Sequence, residues 1–94
     1  MPKVKQIHLP LLRLIAANEG VVQPRDVYEP LAKQFRLTEA DLAQTCGGNS
    51  KWKALVRGAR DELVLKGMIH PARGEYRGKW HLTDKGWKEA GKQV

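Results

Sequence analysis

Apolar residues recur with helical spacing along most of the chain. The first crowded apolar segment spans residues 9–16 and stops shortly before Gly20, which favours a helix that ends at this glycine. Val21 and Val22 then form a short β-compatible pair. The pattern therefore predicts a first helix followed by a short strand.

A second helix is predicted after this strand. Pro24 stands where the first turn of a helix tolerates proline, and apolar residues between 27 and 35 recur every three or four positions. Pro30 removes one backbone donor from the segment. We expect this proline to bend or split the second helix.

Capping signals predict where the next two helices begin. Thr38 and Asp41 have the spacing of a capping box, with aspartate in place of the usual glutamate, and this predicts a short third helix. The segment 47–50 is rich in turn residues. We expect it to end the third helix and to supply Ser50 as the N-cap of the fourth.

The segment 51–66 has the clearest amphipathic pattern in the chain. Its apolar residues fall on one side of a helical wheel, and Gly67 follows as a left-handed cap. The stripe that we expect to face the core consists of Trp52, Leu55, Val56, Ala59 and Leu63. A long helix with one buried side is the prediction.

The last quarter of the chain predicts a β-hairpin and a short final helix. Residues 68–70 and 79–82 are β-compatible and bounded by turn residues, and the loop 71–78 between them is long and basic. Thr83 is positioned to cap a helix that contains Trp87. The element order predicts a mainly α fold with a small β-hairpin, a winged helix-turn-helix in a single domain of 94 residues with its core at about 9–91.

The net charge of +7 is concentrated in the second half of the chain. Residues 1–50 carry six Lys and Arg against five Asp and Glu, net +1, whereas residues 51–94 carry eleven against five, net +6. Such asymmetry indicates a polyanionic partner, either nucleic acid or an acidic membrane face, and a solvated surface with no partner is the alternative. The predicted fourth helix and the predicted hairpin therefore carry the basic surface.

Four cations lie within ten acid-free positions of the predicted fourth helix: Lys51, Lys53, Arg57 and Arg60. An α-helix fits the major groove of B-DNA, where its first turns reach base edges. Arg57 is our prediction for a base contact, because arginine can bond to two acceptors of guanine. Ala54 and Gly58 have small side chains, so the backbone of the helix can approach the floor of the groove closely. We expect Asn49 and Ser50 to contact phosphate at the start of the helix.

The predicted hairpin loop forms the wing of the fold. Its candidate DNA contacts are Arg73, Tyr76, Arg77 and Lys79, with Tyr76 near the tip. Arginines in such loops follow the phosphate backbone or enter the minor groove. We expect backbone binding for the wing, and core packing for the three tryptophans, Trp52, Trp80 and Trp87.

The sequence offers no spacing typical of a metal site or an active site. His8, His70, His81 and Cys46 form no CxxC or HxxxH pair, so we expect no metal and no cofactor. There is no Asp-x-Lys or Glu-x-Lys, and we expect the chain itself not to be an enzyme. A lone cysteine excludes an internal disulfide and favours a reducing compartment. We expect neither a signal peptide nor a membrane span.

Several short motifs follow one another along the chain: PLLR at 10–13, PRDVYE at 24–29, WK at 52–53, VR at 56–57, Ala59, Leu63, KG at 66–67, RGKW at 77–80, LT at 82–83 and Gly86. In this order and spacing they resemble the N-terminal winged-helix domain of Mrr-type restriction endonucleases. These are modification-dependent restriction proteins of bacteria and archaea. The resemblance covers about Leu9 to Gly91.

The resemblance implies a module that docks onto or selects double-stranded DNA for an attached nuclease domain. That effector domain would belong to the same chain or to a partner, so the resemblance also implies the N-terminal module of a longer, cytoplasmic protein. Proteins of this family cut DNA that carries methylated adenine or cytosine. The family often has asparagine and tryptophan where this chain has Ala54 and Gly58, so a specificity that depends on those side chains is not carried over.

Two other functions fit the same fold. A winged helix that binds protein partners would use an exposed apolar patch around Val64, Leu65 and Trp87 and would self-associate without DNA. A small transcriptional regulator would share the DNA-binding surface but would require a dimer interface. The sequence shows no long extra helix suited to dimerisation.

Overall fold

The first helix, α1, is longer than its apolar segment. In the computed structural model, which describes residues 1–92, α1 spans Val4–Ala17 and includes Pro10. The Lys3 backbone N–H donates to Gln6 Oε1 over 2.8 Å, so a capping hydrogen bond starts the helix five residues before the predicted segment. Four side chains of α1 are buried: Ile7, Leu11, Leu12 and Ile15.

The second helical segment is split, as predicted, but Pro30 is not the cause. A 3₁₀ turn at Pro24–Asp26 is followed at Val27 by α2, which spans Tyr28–Gln34. Pro30 is the third residue of α2, where a backbone N–H has no intrahelical acceptor. The proline is therefore tolerated, and the break falls before it.

A short hairpin that the sequence pattern did not predict lies between α3 and α4. α3 spans Glu39–Ala43 and has the predicted capping box, because Asp41 N–H donates to Thr38 Oγ1 and Thr38 N–H donates to Asp41 Oδ2. The next residues form β2 (Thr45–Cys46) and β3 (Asn49–Ser50), which pair antiparallel. We expected only a helix end and an N-cap in this segment.

The long helix α4 spans Lys51–Leu65 and lies at the centre of the packing. Ser50 Oγ accepts a hydrogen bond from Lys53 N–H over 3.3 Å, which confirms the predicted N-cap, and Gly67 has the left-handed φ of 76° expected of a C-terminal cap. Its buried side chains are Trp52, Val56, Ala59 and Leu63, whereas Leu55, predicted in the same stripe, is only half-buried.

A small antiparallel sheet is built around strand β4 (Trp80–His81). β4 pairs with β1 (Val21–Val22) in the register Val21 to His81 and Val22 to Trp80. The predicted hairpin partner, residues 68–70, contributes the Ile69–Leu82 bridge and two backbone hydrogen bonds, from His70 N–H to His81 O over 2.9 Å and from Thr83 N–H to Met68 O over 3.1 Å. We call residues 71–79 the wing.

The last helix, α5, closes the core against α1 and the sheet. α5 spans Asp84–Ala90, and Thr83 Oγ1 accepts a hydrogen bond from Gly86 N–H over 3.0 Å, which confirms the predicted cap. A Cβ at Gly86 would lie 2.1 Å from the Met68 carbonyl oxygen, so only glycine allows this close approach. Trp87 is 44% exposed, and the prediction that it belongs to the core was wrong, whereas Trp52 and Trp80 are buried.

These elements confirm the predicted fold class, a mainly α protein with a small sheet in the order of a winged helix-turn-helix. α1 packs against both α4 and α5, and sixteen hydrophobic residues form the buried cluster between them. Within residues 1–92, no helix has both the length and the apolar character that crossing a bilayer requires.

Candidate nucleic-acid interface

The side of α4 away from the core carries most of the predicted helix contacts. Lys51, Lys53, Ala54 and Arg57 are all exposed, because they lie opposite or beside the buried stripe of the same helix. Arg57 Nε donates to the Lys53 carbonyl oxygen over 3.4 Å, so the guanidinium bends back along its own helix. The Lys53 ammonium is 5.4 Å from the centre of the Tyr28 ring.

Arg60 differs from the other cations of α4. Its guanidinium lies 5.5 Å from the centre of the Trp80 ring, and Nη1 is 3.3 Å from the Asp61 carboxylate. The side chain is only 24% exposed, and its buried Nε has no hydrogen-bond partner. Arg60 therefore joins α4 to the sheet and is less available to a ligand than Arg57.

Gly58 lies at the edge of the exposed side, next to α1. It is half-buried, and a Cβ at this position would lie 3.7 Å from Val4 Cγ2, which is ordinary van der Waals contact. Packing within the chain therefore accommodates alanine here. Glycine at this position costs about 1 kcal/mol of helix stability relative to alanine, and contacts within residues 1–92 supply no reason for it.

Asn49 and Ser50, expected at the helix start, are part of the β2–β3 hairpin. Asn49 is exposed and Ser50 is half-buried, and Ser50 both ends β3 and caps α4. Lys51 N–H donates to the Gln44 carbonyl oxygen over 3.0 Å, which ties the helix start to the residue before β2. The sequence signal that could have pointed to a hairpin turn was the Gly47–Gly48 pair, but the flanking strands of two residues each are too short to carry a strand pattern.

The wing presents three of its four predicted contacts to solvent. Arg73, Arg77 and Lys79 are exposed, on either side of a 3₁₀ turn at Gly74–Tyr76. Glycines at 74 and 78 have φ of 56° and 79°, so the loop uses the left-handed conformations that glycine adopts without strain. The three cations therefore lie in solvent, outside the core.

Tyr76 is not at the tip of the wing. Its ring stacks on His70 with centroids 4.1 Å apart and planes 4° apart, and contacts the edge of His81 at 4.9 Å. The neighbouring Glu75 carboxylate, reinforced by partial burial, raises the pKa of Tyr76. Tyr76 thus holds the wing against the strands on which it is built, and it is half-buried in that position.

Trp80, the first residue of β4, connects α4 with the wing. Arg60, in the third turn of α4, covers Trp80, and Lys79 of the wing directly precedes Trp80. Lys79 also borders a shallow cavity of about 190 Å³ with Asn18, Gln23 and Asp26. One buried tryptophan therefore has a cation of α4 over its ring and a cation of the wing next to it in the chain.

An apolar groove, which the sequence did not reveal, lies between α2, α3 and the start of α4. It has a volume of about 450 Å³ and is lined mainly by Tyr28, Ala32, Leu37, Leu42 and Trp52, with Ser50 and Lys53 at its α4 edge. Trp52 Nε1 donates to the Tyr28 carbonyl oxygen over 2.9 Å and contacts Phe35 edge to face. This arrangement fixes the angle between α2 and α4.

A histidine supports α4 from the α1 side. His8 Nε2 is 3.0 Å from Glu62 Oε1, without the geometry of a hydrogen bond. Burial and the positive charge of Lys66 lower the pKa of His8, and the Glu62 carboxylate offsets these effects only in part. Among residues 1–92, no three His, Cys, Asp or Glu side chains come close enough to hold a metal ion together.

Comparison with known proteins gives one result. No curated protein and no solved structure matches the sequence. The family described as the Mrr N-terminal domain matches residues 5–90, nearly the whole chain, and covers every helix from α1 to α5. The chain therefore belongs to the Mrr N-terminal domain family.

Proposed function

We propose that the chain is a double-stranded-DNA-binding module that docks or selects target DNA for a modification-dependent restriction endonuclease. One observation carries the proposal: Lys51, Lys53 and Arg57 are exposed on α4, and the wing exposes three more cations. Membership of the Mrr N-terminal domain family supports a role in a restriction system.

The two regions are assigned different tasks in this proposal. The first turns of α4 enter the major groove, where Arg57 reads a base and Lys51 and Lys53 bind flanking phosphates. Arg73, Arg77 and Lys79 bind the backbone beside that groove. Arg60 acts indirectly, because it is half-buried against Trp80 and keeps helix and wing together.

Cleavage is assigned to a nuclease domain in the same chain or in a partner. The exposed cations of α4 and the wing suit binding and positioning of phosphate. A comparison of unmodified, adenine-methylated and cytosine-methylated duplexes identifies which modification, if any, the module selects.

The dependence of affinity on salt tests the proposal. With about five phosphate contacts, the logarithm of the association constant for a labelled duplex should fall against the logarithm of the salt concentration with a slope of about −4 to −5. The triple substitution Lys51→Gln, Lys53→Gln and Arg57→Gln should make this slope shallower by two to three. Lys33→Gln is the matched control, because Lys33 pairs with Glu29 on α2. A slope near zero for the unsubstituted chain rules DNA binding out.

A protein-interaction role is the second candidate, and one observation favours it. Leu65 is 88% exposed at the end of α4, and Trp87 is 44% exposed on α5. Exposed apolar side chains of this size mark contact surfaces when they are contiguous. Sedimentation velocity with and without duplex separates the candidates: tight self-association without DNA, abolished by Leu65→Gln, supports the protein-interaction role.

A further inference from the structure

The β2–β3 hairpin is an exposed ribbon that contributes little to the core. Residues 45–49 are all exposed, and Ser50 is the only half-buried residue of the ribbon. The turn residues Gly47 and Gly48 have φ of 61° and 84°, both positive as in a type I′ turn, and a Cβ on either has no neighbouring atom within 4 Å. The tip of the ribbon is therefore free to meet a partner.

The ribbon is fixed to α4 although its tip is free. An isolated two-stranded hairpin is marginally stable in water, but here Ser50 belongs to both elements and Lys51 N–H bonds to the Gln44 carbonyl oxygen at its base. The position of the ribbon is consequently set by the helix. Whatever contacts the first turn of α4 also approaches the ribbon.

The charge around the ribbon indicates the class of partner. Between Asp41 and Asp61 the chain contains no acid and four cations, all on α4. A polyanion can therefore approach the ribbon and the exposed side of α4 together without meeting a negative side chain of this segment. About ten residues of helix, or roughly 15 Å along the helix axis, separate Ser50 from Arg60. This length of helix exceeds the width of the major groove, which is about 12 Å.

We propose that the β2–β3 hairpin is a second wing, whose Gly47–Gly48 tip lies against the phosphate backbone of the duplex at the N-terminal end of α4. The inference rests on the proposed function and adds a contact to it. The side chains of Arg73, Arg77 and Lys79 serve the other end of the interface. α4 then lies between two ribbons, one basic and one formed of neutral residues that bring the backbone of the protein close to phosphate.

A matched pair of substitutions tests this contact. Asn-Gly and Asp-Gly both suit a type I′ turn, so Gly47→Asn and Gly47→Asp preserve the hairpin and differ by one charge. If the tip lies against phosphate, Gly47→Asp should bind a labelled duplex about fivefold more weakly than Gly47→Asn at 0.1 M salt. Leu65→Glu adds the same charge at the far end of α4 and should leave affinity within about twofold of the unsubstituted chain. Thermal unfolding verifies that every variant is folded.

Cys46 provides an independent reporter, because it is exposed and is the only cysteine in the chain. Saturating duplex should slow its alkylation by iodoacetamide, an uncharged reagent, at least fivefold. If the duplex binds but Gly47→Asp and Gly47→Asn have equal affinity, or Cys46 reacts at an unchanged rate, the second wing is overturned and the proposed function stands. If the unsubstituted chain binds no duplex, the proposed function itself fails.

Discussion

α4 and the wing both expose cations, yet the two regions are held in place by different means. α4 is fifteen residues long, is capped by Ser50, and buries four side chains in the core. The wing has nine residues with one 3₁₀ turn, and its main tertiary contact is the stack of Tyr76 on His70. A side chain on a firmly packed helix is pre-organised for one geometry, whereas a loop adapts to the surface it meets.

This difference predicts separate roles for α4 and the wing in the proposed interface. Reading a base requires a donor held within a fraction of an ångström, and the proposed base contact, Arg57, stands on a helix that Trp52 and Val56 anchor in the core. Binding phosphate requires only charge within reach, which the wing provides. Sequence discrimination should therefore come from α4, and general affinity from both regions.

The largest expected effect follows from removal of the packing that holds α4. Trp52→Ala deletes a buried side chain, its hydrogen bond to the Tyr28 carbonyl oxygen and its contact with Phe35, so it should lower the free energy of unfolding by about 3–5 kcal/mol. Trp87→Ala is the matched control, since Trp87 is 44% exposed and should cost much less. Urea denaturation measures both. Equal losses would show that α4 is not anchored as described.

Single arginine substitutions then separate base reading from backbone binding. Arg57→Ala should reduce affinity for a preferred site by about 1–3 kcal/mol more than affinity for random duplex. Arg77→Ala should weaken both duplexes alike and make the salt slope shallower by about one. Fluorescence anisotropy across salt concentrations gives both quantities. An equal loss on both duplexes for Arg57→Ala would make Arg57 a phosphate contact like Arg77.

The smallest expected effect concerns the anchoring of the wing. Tyr76→Ala removes the stack with His70 and the edge contact with His81, and should lower the free energy of unfolding by about 0.5–1.5 kcal/mol. Tyr76→Phe retains the ring and should lose little. Thermal unfolding at neutral pH compares the two. A loss for phenylalanine as large as that for alanine would assign the effect to the hydroxyl group.

Elements specified by local chemistry could be predicted from the sequence. Thr38, Ser50 and Thr83 form the capping hydrogen bonds expected of them, because a cap depends only on residues three positions away. The buried stripe of α4 was predicted almost completely for the same reason, since helical periodicity is a property of one segment. These signals placed Lys51, Lys53 and Arg57 on α4, whereas Asn49 and Ser50 belong to β3.

Features that depend on distant contacts or very short strands could not be predicted. β2 and β3 have two residues each, too few to show the alternation of apolar and polar residues that identifies a strand. Gly47 and Gly48 therefore indicated only the end of a helix. The position of Tyr76 depends on His70 and His81, which the fold brings together. Trp87 was expected inside because of its residue type, but α5 places it at the surface.

The direct join between β3 and α4 has a consequence for how this region can vary in length. Ser50 ends the strand and caps the helix, with no intervening residue to absorb an insertion. One residue added between Ser50 and Lys51 would rotate the whole helix by about 100° relative to the hairpin. Arg57 would then point in a different direction relative to the hairpin. Pairs of residues added at the hairpin tip would lengthen the ribbon and leave that orientation unchanged.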